Sequence, residues 1–492
     1  MTDRPARPID PPADWLTFHL THPSVAGHEP YDPNAIFFWA GRYHFHYVYP
    51  SEDGLAYAHV SSPDLVHWSW QRTLLTASKT GHEILSGSGF LTKEGRPAII
   101  YASRNDLSLG PAQIVHALDD DLDSWSTPSA IEPRAKWEAD LEVIVPWDPH
   151  GWREGDMYYA IFGVHPGATG KEATVHRSAD LVSWEYVGPF LSTDLPEAAE
   201  DSDISCPDFF PLGREHMLLC ISHNLGCRYY LGEWTNEQFT PTRHGRMNWQ
   251  VTPHLIEWAG VEPAPSENSG RAVFFAPETL LAPDGRRLMW AWCWIDGMQN
   301  GIQSLPRELS LPEDGILRIA PLRELETLRH DEVAVAGIEV PAGRISVVDG
   351  IAGDTLECAI TIRFGSARRV GVVVLCDAGG LGGLLIAVDR RAETLTVGDT
   401  EAPFTPDAES VTLRVFIDKA MVEVFADDRQ AVIGTHPYLP ENVHVGLFAD
   451  DRVTVDLTAW QLSSIYIEEP NMTTDDNGIE VATLSTGGSA RS

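Results

Sequence analysis

Apolar residues in this chain gather in short runs that suit β-strands better than helices. Ile36-Phe37-Phe38-Trp39, Met157-Tyr158-Tyr159-Ala160-Ile161-Phe162 and Met217-Leu218-Leu219-Cys220 are examples, and runs of that length bounded by turn residues read as strands. In the first part of the chain the runs fall into a repeat. Asp64-Leu65-Val66-His67-Trp68 returns as Asp121-Leu122-Asp123-Ser124-Trp125 and again as Asp180-Leu181-Val182-Ser183-Trp184, at steps of 57 and 59 residues. A fixed period of that size marks a repeat architecture. Four strands of about five residues plus loops fit inside one unit, which predicts propeller blades. Continuing the step predicts a fourth mark at Trp234 to Phe239 and a fifth near residue 297, close to Arg286-Arg287-Leu288-Met289-Trp290-Ala291-Trp292. Five blades over residues 20–320 follow, behind an N-terminal extension at 1–19.

Leucines 322, 325 and 328 lie on one face of the segment Pro321 to Arg329 and predict a short amphipathic helix, the linker at 321–330. Beyond it the period stops while strand signals continue, from Val370–Cys376 to Val453–Ile467. Thr412-Leu413-Arg414-Val415-Phe416-Ile417 alternates polar with apolar, the pattern of a β-sandwich with one wet face. The sandwich is expected over 331–467, and the Thr-, Ser-, Asp- and Gly-rich residues 468–492 as a disordered tail. The fold class expected is therefore all-β: a five-bladed β-propeller followed by a C-terminal β-sandwich.

Composition narrows the possibilities. A chain of 492 residues is long enough for two domains. It lacks the run of about 18 apolar residues that a membrane helix needs. The polar, proline-rich start has no secretory core. Six scattered cysteines then read as reduced, buried thiols of a cytoplasmic protein. A net charge of −36 argues against nucleic acid or an anionic membrane as partner. No His/Cys spacing suggests a metal, no cofactor is implied, and nothing in the chain sets an oligomeric state.

A propeller gathers its inner strands around a channel, so carboxylates at the starts of different blades converge. Asp32, Asp148 and Asp208 each precede a blade-like apolar strand, although Asp-Pro and Pro-Asp are also ordinary turn chemistry. Here the chain resembles glycoside hydrolase family 32, the invertase, levanase and inulinase family. YDPNA at 31–35 is similar to the family's NDPNG, Ser86-Gly87-Ser88 to FSGS, WDP at 147–149 to RDP, and SCPD at 205–208 to ECPD. The segments at 59–68, 285–292, 304–309 and 413–425 resemble further family hallmarks in the same order. The resemblance implies a retaining furanosidase that needs two carboxyl groups, a nucleophile and an acid. It makes Asp32 the nucleophile and Asp148 the transition-state stabiliser. Asn34, Ser86 and Gly87 would line the substrate wall, with Tyr31, Trp147, Ser205, Asp208 and Glu278 as further substrate contacts.

The match breaks at the acid. Ser205 stands where the family carries its acid/base glutamate, and a hydroxyl has no pKa near the operating pH. Tyr31, Trp147 and Val48 replace an asparagine, an arginine and a glutamine in the same neighbourhood, and exchanged polar groups change the ligand. Asp203 shares a strand face with Ser205 and is the first candidate acid, followed by Glu278 and Glu142. Two functions are expected. One is a glycosidase or transglycosylase on a β-fructofuranoside-like or other furanoside linkage of an atypical oligosaccharide or small glycoside. The other is a carbohydrate-binding or regulatory protein that has lost hydrolysis.

Overall fold

The computed structural model describes residues 11–23, 31–105, 108–137, 140–143, 146–164, 172–191, 204–222, 226–247, 249, 272–295, 300–466, 471–474 and 480–483. Five antiparallel sheets form the propeller. Blade one runs outward through Pro33–Trp39, Arg42–Ser51, Gly54–Ser62 and Ser69–Trp70. The inner strands of the next four blades are Glu83–Leu91, His150–Glu154, Ser205–Leu212 and Ala272–Leu281, and each packs against its neighbours until the fifth meets the first. The ring is sealed by pairing: Thr21–Pro23 joins the fifth blade, antiparallel to Asn300–Gln303. A barrel-like closure of this kind leaves no open edge between first and last blades.

The repeated sequence is the turn from third to fourth strand. Leu65, Leu122 and Leu181 all adopt left-handed backbone, with φ of 70°, 58° and 63°. That conformation costs a non-glycine residue about 1 kcal/mol. Burial of the Leu65 and Leu122 side chains offsets it. Asp64 Oδ1 accepts from the Val66 and His67 amides at 3.1 and 2.8 Å, and Asp180 Oδ1 from Val182 and Ser183 at 2.9 and 2.8 Å. Blade four makes the same connection with a tight hairpin turn, Asn236 and Glu237 both having positive φ. The fifth mark falls elsewhere than the step predicts. Arg287–Ile295 is the second strand of blade five, its partner strand is split into Asn300–Gln303 and Arg307–Ser310, and the final turn comes after residue 310.

The linker helix is a 3-10 helix, Arg323–Leu328. Its three-residue turn stacks Leu322, Leu325 and Leu328, and all three are buried. Two six-stranded sheets follow and pack as a sandwich over a core that includes Ile360, Val372, Ile386, Val415 and Val455. The wet face is wet over only half its length. Thr412 is exposed and Arg414 half-buried, but Phe416 and Asp418 are buried because this end covers blade five and the N-terminal segment. There Asp418 accepts the amides of Thr17, Phe18 and His19 at 2.7–3.0 Å, and Glu423 accepts the Leu305 amide at 2.8 Å and Arg307 Nη2 at 3.0 Å. In the segment expected to be disordered, Asn471–Thr474 pairs antiparallel with Glu480–Thr483.

Candidate active site

Four of the five inner strands lose register near their entrance: between Pro33 and Ile36, Ile84 and Gly87, Ser205 and Asp208, and Phe275 and Glu278. Bulges re-aim side chains, and they concentrate beside functional sites. Asp148, Cys206 and Ala276 also take positive φ, at 38°, 45° and 47°. Strain of roughly 1–3 kcal/mol per residue persists only where the surroundings enforce it. Irregular backbone thus surrounds one end of the channel.

Asp32 sits at the entrance of blade one. The amide of Tyr31 donates to the Val48 carbonyl and the amide of Val48 to the Asp32 carbonyl, each at 3.0 Å, so position 48 sets the backbone of Asp32. Asn34, buried by the bulge, donates from Nδ2 to the Asp32 carbonyl and accepts the Gly87 amide, both at 2.6 Å. Gly87 is obligatory, since a Cβ there would lie 2.0 Å from the Ile100 carbonyl. The neighbouring Ser86 hydroxyl donates to Asp32 Oδ2 at 2.7 Å. Tyr31 meets Trp292 edge-on at 5.8 Å.

Asp148 enters from blade three, buried, and blade four supplies its partner. The Cys206 amide donates to Asp148 Oδ2 at 3.0 Å, while Cys206 Sγ lies 3.5 Å from that oxygen and 3.8 Å from Asp32 Oδ2. One sulfur therefore ties the two carboxylates into one site. Burial pushes the thiol's pKa well above its ordinary value, and the Asp148 and Asp32 charges push it further. Cys206 stays a neutral S–H.

Ser205 is 0% exposed, and the Trp147 indole N–H donates to its hydroxyl at 2.6 Å. The two departures at these positions are thus partners across 58 residues of chain. Asp208 and Glu278 form a second, buried group with Arg287 and His150. His150 Nε2 lies 3.7 Å from Asp208 Oδ1. Burial, then the Asp208 charge, holds Glu278 well above the usual carboxylate range, whereas burial lowers Arg287 to about 10 against the pull of Asp208 and Glu278. Tyr57, whose hydroxyl donates to the Leu85 carbonyl at 2.6 Å, is raised well above 10 by burial and by nearby charges that include Glu278, Asp32 and Asp148.

Of the residues singled out from sequence, Asp32, Asn34, Ser86, Gly87 and Asp148 come together at the mouth. Trp147 and Ser205 pair beside them, and Asp208 and Glu278 share the buried group. Asp203 lies outside the described residues. Glu142 belongs to a separate hairpin, in register with Ala135. Cys206 was missed as a site residue because a lone thiol beside an apolar strand reads as core. Its place inside the Ser205-Cys206-Pro207-Asp208 motif was the available signal.

A propeller that brings carboxylates from different blades to one channel mouth is the build of a glycoside-cleaving enzyme. Residues 29–321 match the N-terminal domain of glycosyl hydrolases family 32, and residues 324–461 match its C-terminal domain. The chain belongs to glycosyl hydrolase family 32 and is a glycosidase of the fructofuranosidase-like type. It is 24% identical to a sucrose-6-phosphate hydrolase of Escherichia coli, over 92% of this chain and 94% of that one. A raffinose invertase of Escherichia coli matches at 24%, with the same coverage. In fold it is similar to fructan 1-exohydrolase IIa of Cichorium intybus, with a TM-score of 0.72 and 18% identity over 92% of this chain and 98% of that one. Among the described residues no helix is long and apolar enough to cross a membrane.

Proposed function

We propose that this protein cleaves a β-fructofuranoside or closely related furanoside linkage by a retaining mechanism, with Asp32 as nucleophile, Asp148 as stabiliser and Asp203 as acid/base. The observation that carries this reading is the joining of Asp32 and Asp148 through Cys206, with Ser86 fixing the Asp32 oxygen. In the first step an Asp32 oxygen bonds to the anomeric carbon, the glycosidic C–O bond breaks, and the leaving oxygen takes the Asp203 proton. In the second, water or a sugar hydroxyl attacks that carbon, returns its proton to Asp203 and frees Asp32. Asp148 holds the ring hydroxyls as positive charge develops. The relatives named for sucrose-6-phosphate and raffinose support a sucrose-like fructoside. The Trp147–Ser205 pair supports an atypical one, because an indole and a buried hydroxyl replace the charged groups expected there.

A second reading, a sugar-binding protein without hydrolysis, is favoured by one observation, the neutral and fully buried Ser205. Hydrolysis of a furanoside panel that includes activated aryl furanosides separates the two. Asp32→Asn is expected to lower kcat by about 10⁴-fold on every cleaved member. Asp203→Asn is expected to abolish cleavage of natural linkages and spare the aryl substrates, whose leaving groups need no proton. Equal inertness of wild type and Asp32→Asn, with sugar still bound, would establish the binding reading.

A further inference from the structure

The Asp32 side chain is aimed by its backbone, and that backbone is held from two blades. Blade one supplies its own share: the Tyr31 amide donates to the Val48 carbonyl, and the Asp32 carbonyl accepts from the Val48 amide and from Asn34 Nδ2. The carbonyl of Tyr31 is held from blade five. Gln303 Nε2 donates to it at 3.1 Å, across 272 residues of chain. Pro33, which follows Asp32, brings no N–H to this entrance. Because the peptide unit is planar, fixing the Tyr31 carbonyl also fixes the nitrogen and Cα of Asp32. The direction in which the Asp32 side chain leaves the backbone is fixed with them.

Gln303 is itself anchored where the ring closes. It ends the strand Asn300–Gln303, lies opposite Trp292 in register and donates its own backbone amide to the Leu20 carbonyl at 2.9 Å. Leu20 precedes Thr21–Pro23, the strand that seals the propeller. Trp292 in turn meets the Tyr31 ring, so blade five holds Tyr31 at both ring and carbonyl. Closure of the ring is thereby transmitted to the residue before Asp32.

Stability alone gives little reason for a glutamine here. Gln303 is only 2% exposed, too buried to reach a substrate. A carbonyl only accepts, so the amide must present Nε2 to Tyr31 and turn Oε1 away. Oε1 is then buried with no hydrogen-bond partner among the described residues. The side chain pairs one oxygen, that of Tyr31, and strands another, so its net stabilisation is small. A residue that breaks a local rule without a stability gain is expected where function requires it. We infer that Gln303 is a positioning residue for the nucleophile, acting through the Tyr31 carbonyl and not on the substrate. The inference rests on the reading of Asp32 as nucleophile given above.

Hydrolysis of an activated aryl β-fructofuranoside by the full chain tests this, because such a leaving group needs no proton and the first step then reports attack by Asp32. Gln303→Met is expected to lower kcat by about 10- to 100-fold with KM nearly unchanged. Its melting temperature should stay close to that of the wild type, since one unpaired oxygen is exchanged for another. Gln303→Glu keeps the shape and, when ionised, has no hydrogen to give. It should show the same split between kcat and KM, and it carries the test if the methionine variant does not fold. Wild-type kcat in either folded variant, or a loss confined to KM or to melting temperature, would overturn the inference while Asp32→Asn still removes activity. Failure of both variants to fold would assign Gln303 to ring closure alone and overturn it as well. Full activity in Asp32→Asn, or a wild type inert on the aryl substrate, would instead overturn the nucleophile reading and this inference with it.

Discussion

Two groups of carboxylates in this molecule, at the seam between propeller and sandwich and at the channel mouth, meet opposite kinds of partner. At the seam between propeller and sandwich, Asp418 and Glu423 meet cations. His19 Nδ1 lies 2.9 Å from Asp418, its Nε2 lies 3.4 Å from Glu423, and Arg307 Nη2 lies 3.0 Å from Glu423. At the channel mouth, Asp32 accepts from the Ser86 hydroxyl and Asp148 from the Cys206 amide, with the Cys206 thiol beside both. Ion pairs and backbone amides at the seam clamp three segments of chain. The same residue type serves cohesion in one place and, in the proposed mechanism, reactivity in the other.

Exchanging the two behaviours should be impossible, and the largest effects test that. Asp32→Asn is expected to remove about 10⁴-fold of activity and move the melting temperature little. Arg307→Met should do the reverse. The Arg307 and Glu423 side chains are 1% and 0% exposed, so breaking the pair strands a buried charge. The expected loss is about 3–5 kcal/mol in denaturant unfolding. Arg307→Met/Glu423→Leu should recover much of it, because removing both charges abolishes the desolvation penalty.

The seam should also be sensitive to alkali. Burial alone would lower the pKa of His19, but hydrogen bonds to Asp418 and Glu423 and their charges raise it from 6.5 to about 9. The folded value is the higher one, so this stabilisation is complete below pH 6.5 and is lost as pH rises through about 9. The amount is on the order of 3 kcal/mol. Melting temperature followed from pH 6 to 10 should show the decline, and His19→Gln should flatten it.

Smaller effects belong to the mouth. Ser205→Ala leaves the Trp147 indole N–H without its acceptor, a loss of roughly 1–3 kcal/mol that thermal unfolding would register. Cys206 should resist iodoacetamide at neutral pH, since a thiol this far above its ordinary pKa presents almost no thiolate. Mass spectrometry of the native chain would reveal alkylation, and rapid labelling there would show that Cys206 is not held as a neutral thiol.

Much of the fold was legible because its signals are local. The recurrent Asp-Leu turn needs only a side chain that caps its own backbone, and sheet alternation needs only a period of two. The acidic entrances of blades one, three and four could be marked for the same reason. The 3-10 character of Arg323–Leu328 was hidden, since leucines three apart suit both helix types. Alternation puts Phe416 on the wet face, because nothing in one strand reveals that another domain will cover it. The indole–serine pair was visible as two separate exceptions, but not as a contact.

By itself, then, the sequence determined the blades, the sandwich, the family and the carboxylates that begin the inner strands. All of these rest on patterns spanning a few residues or a regular repeat. Only the tertiary structure decided that Cys206 bridges Asp32 and Asp148, that Trp147 satisfies Ser205, that the seam is held by buried ions, and that Gln303 holds the Tyr31 carbonyl. These contacts join residues from separate blades or domains. They are set by bulges and closure of the ring, which bring together groups that no local pattern relates.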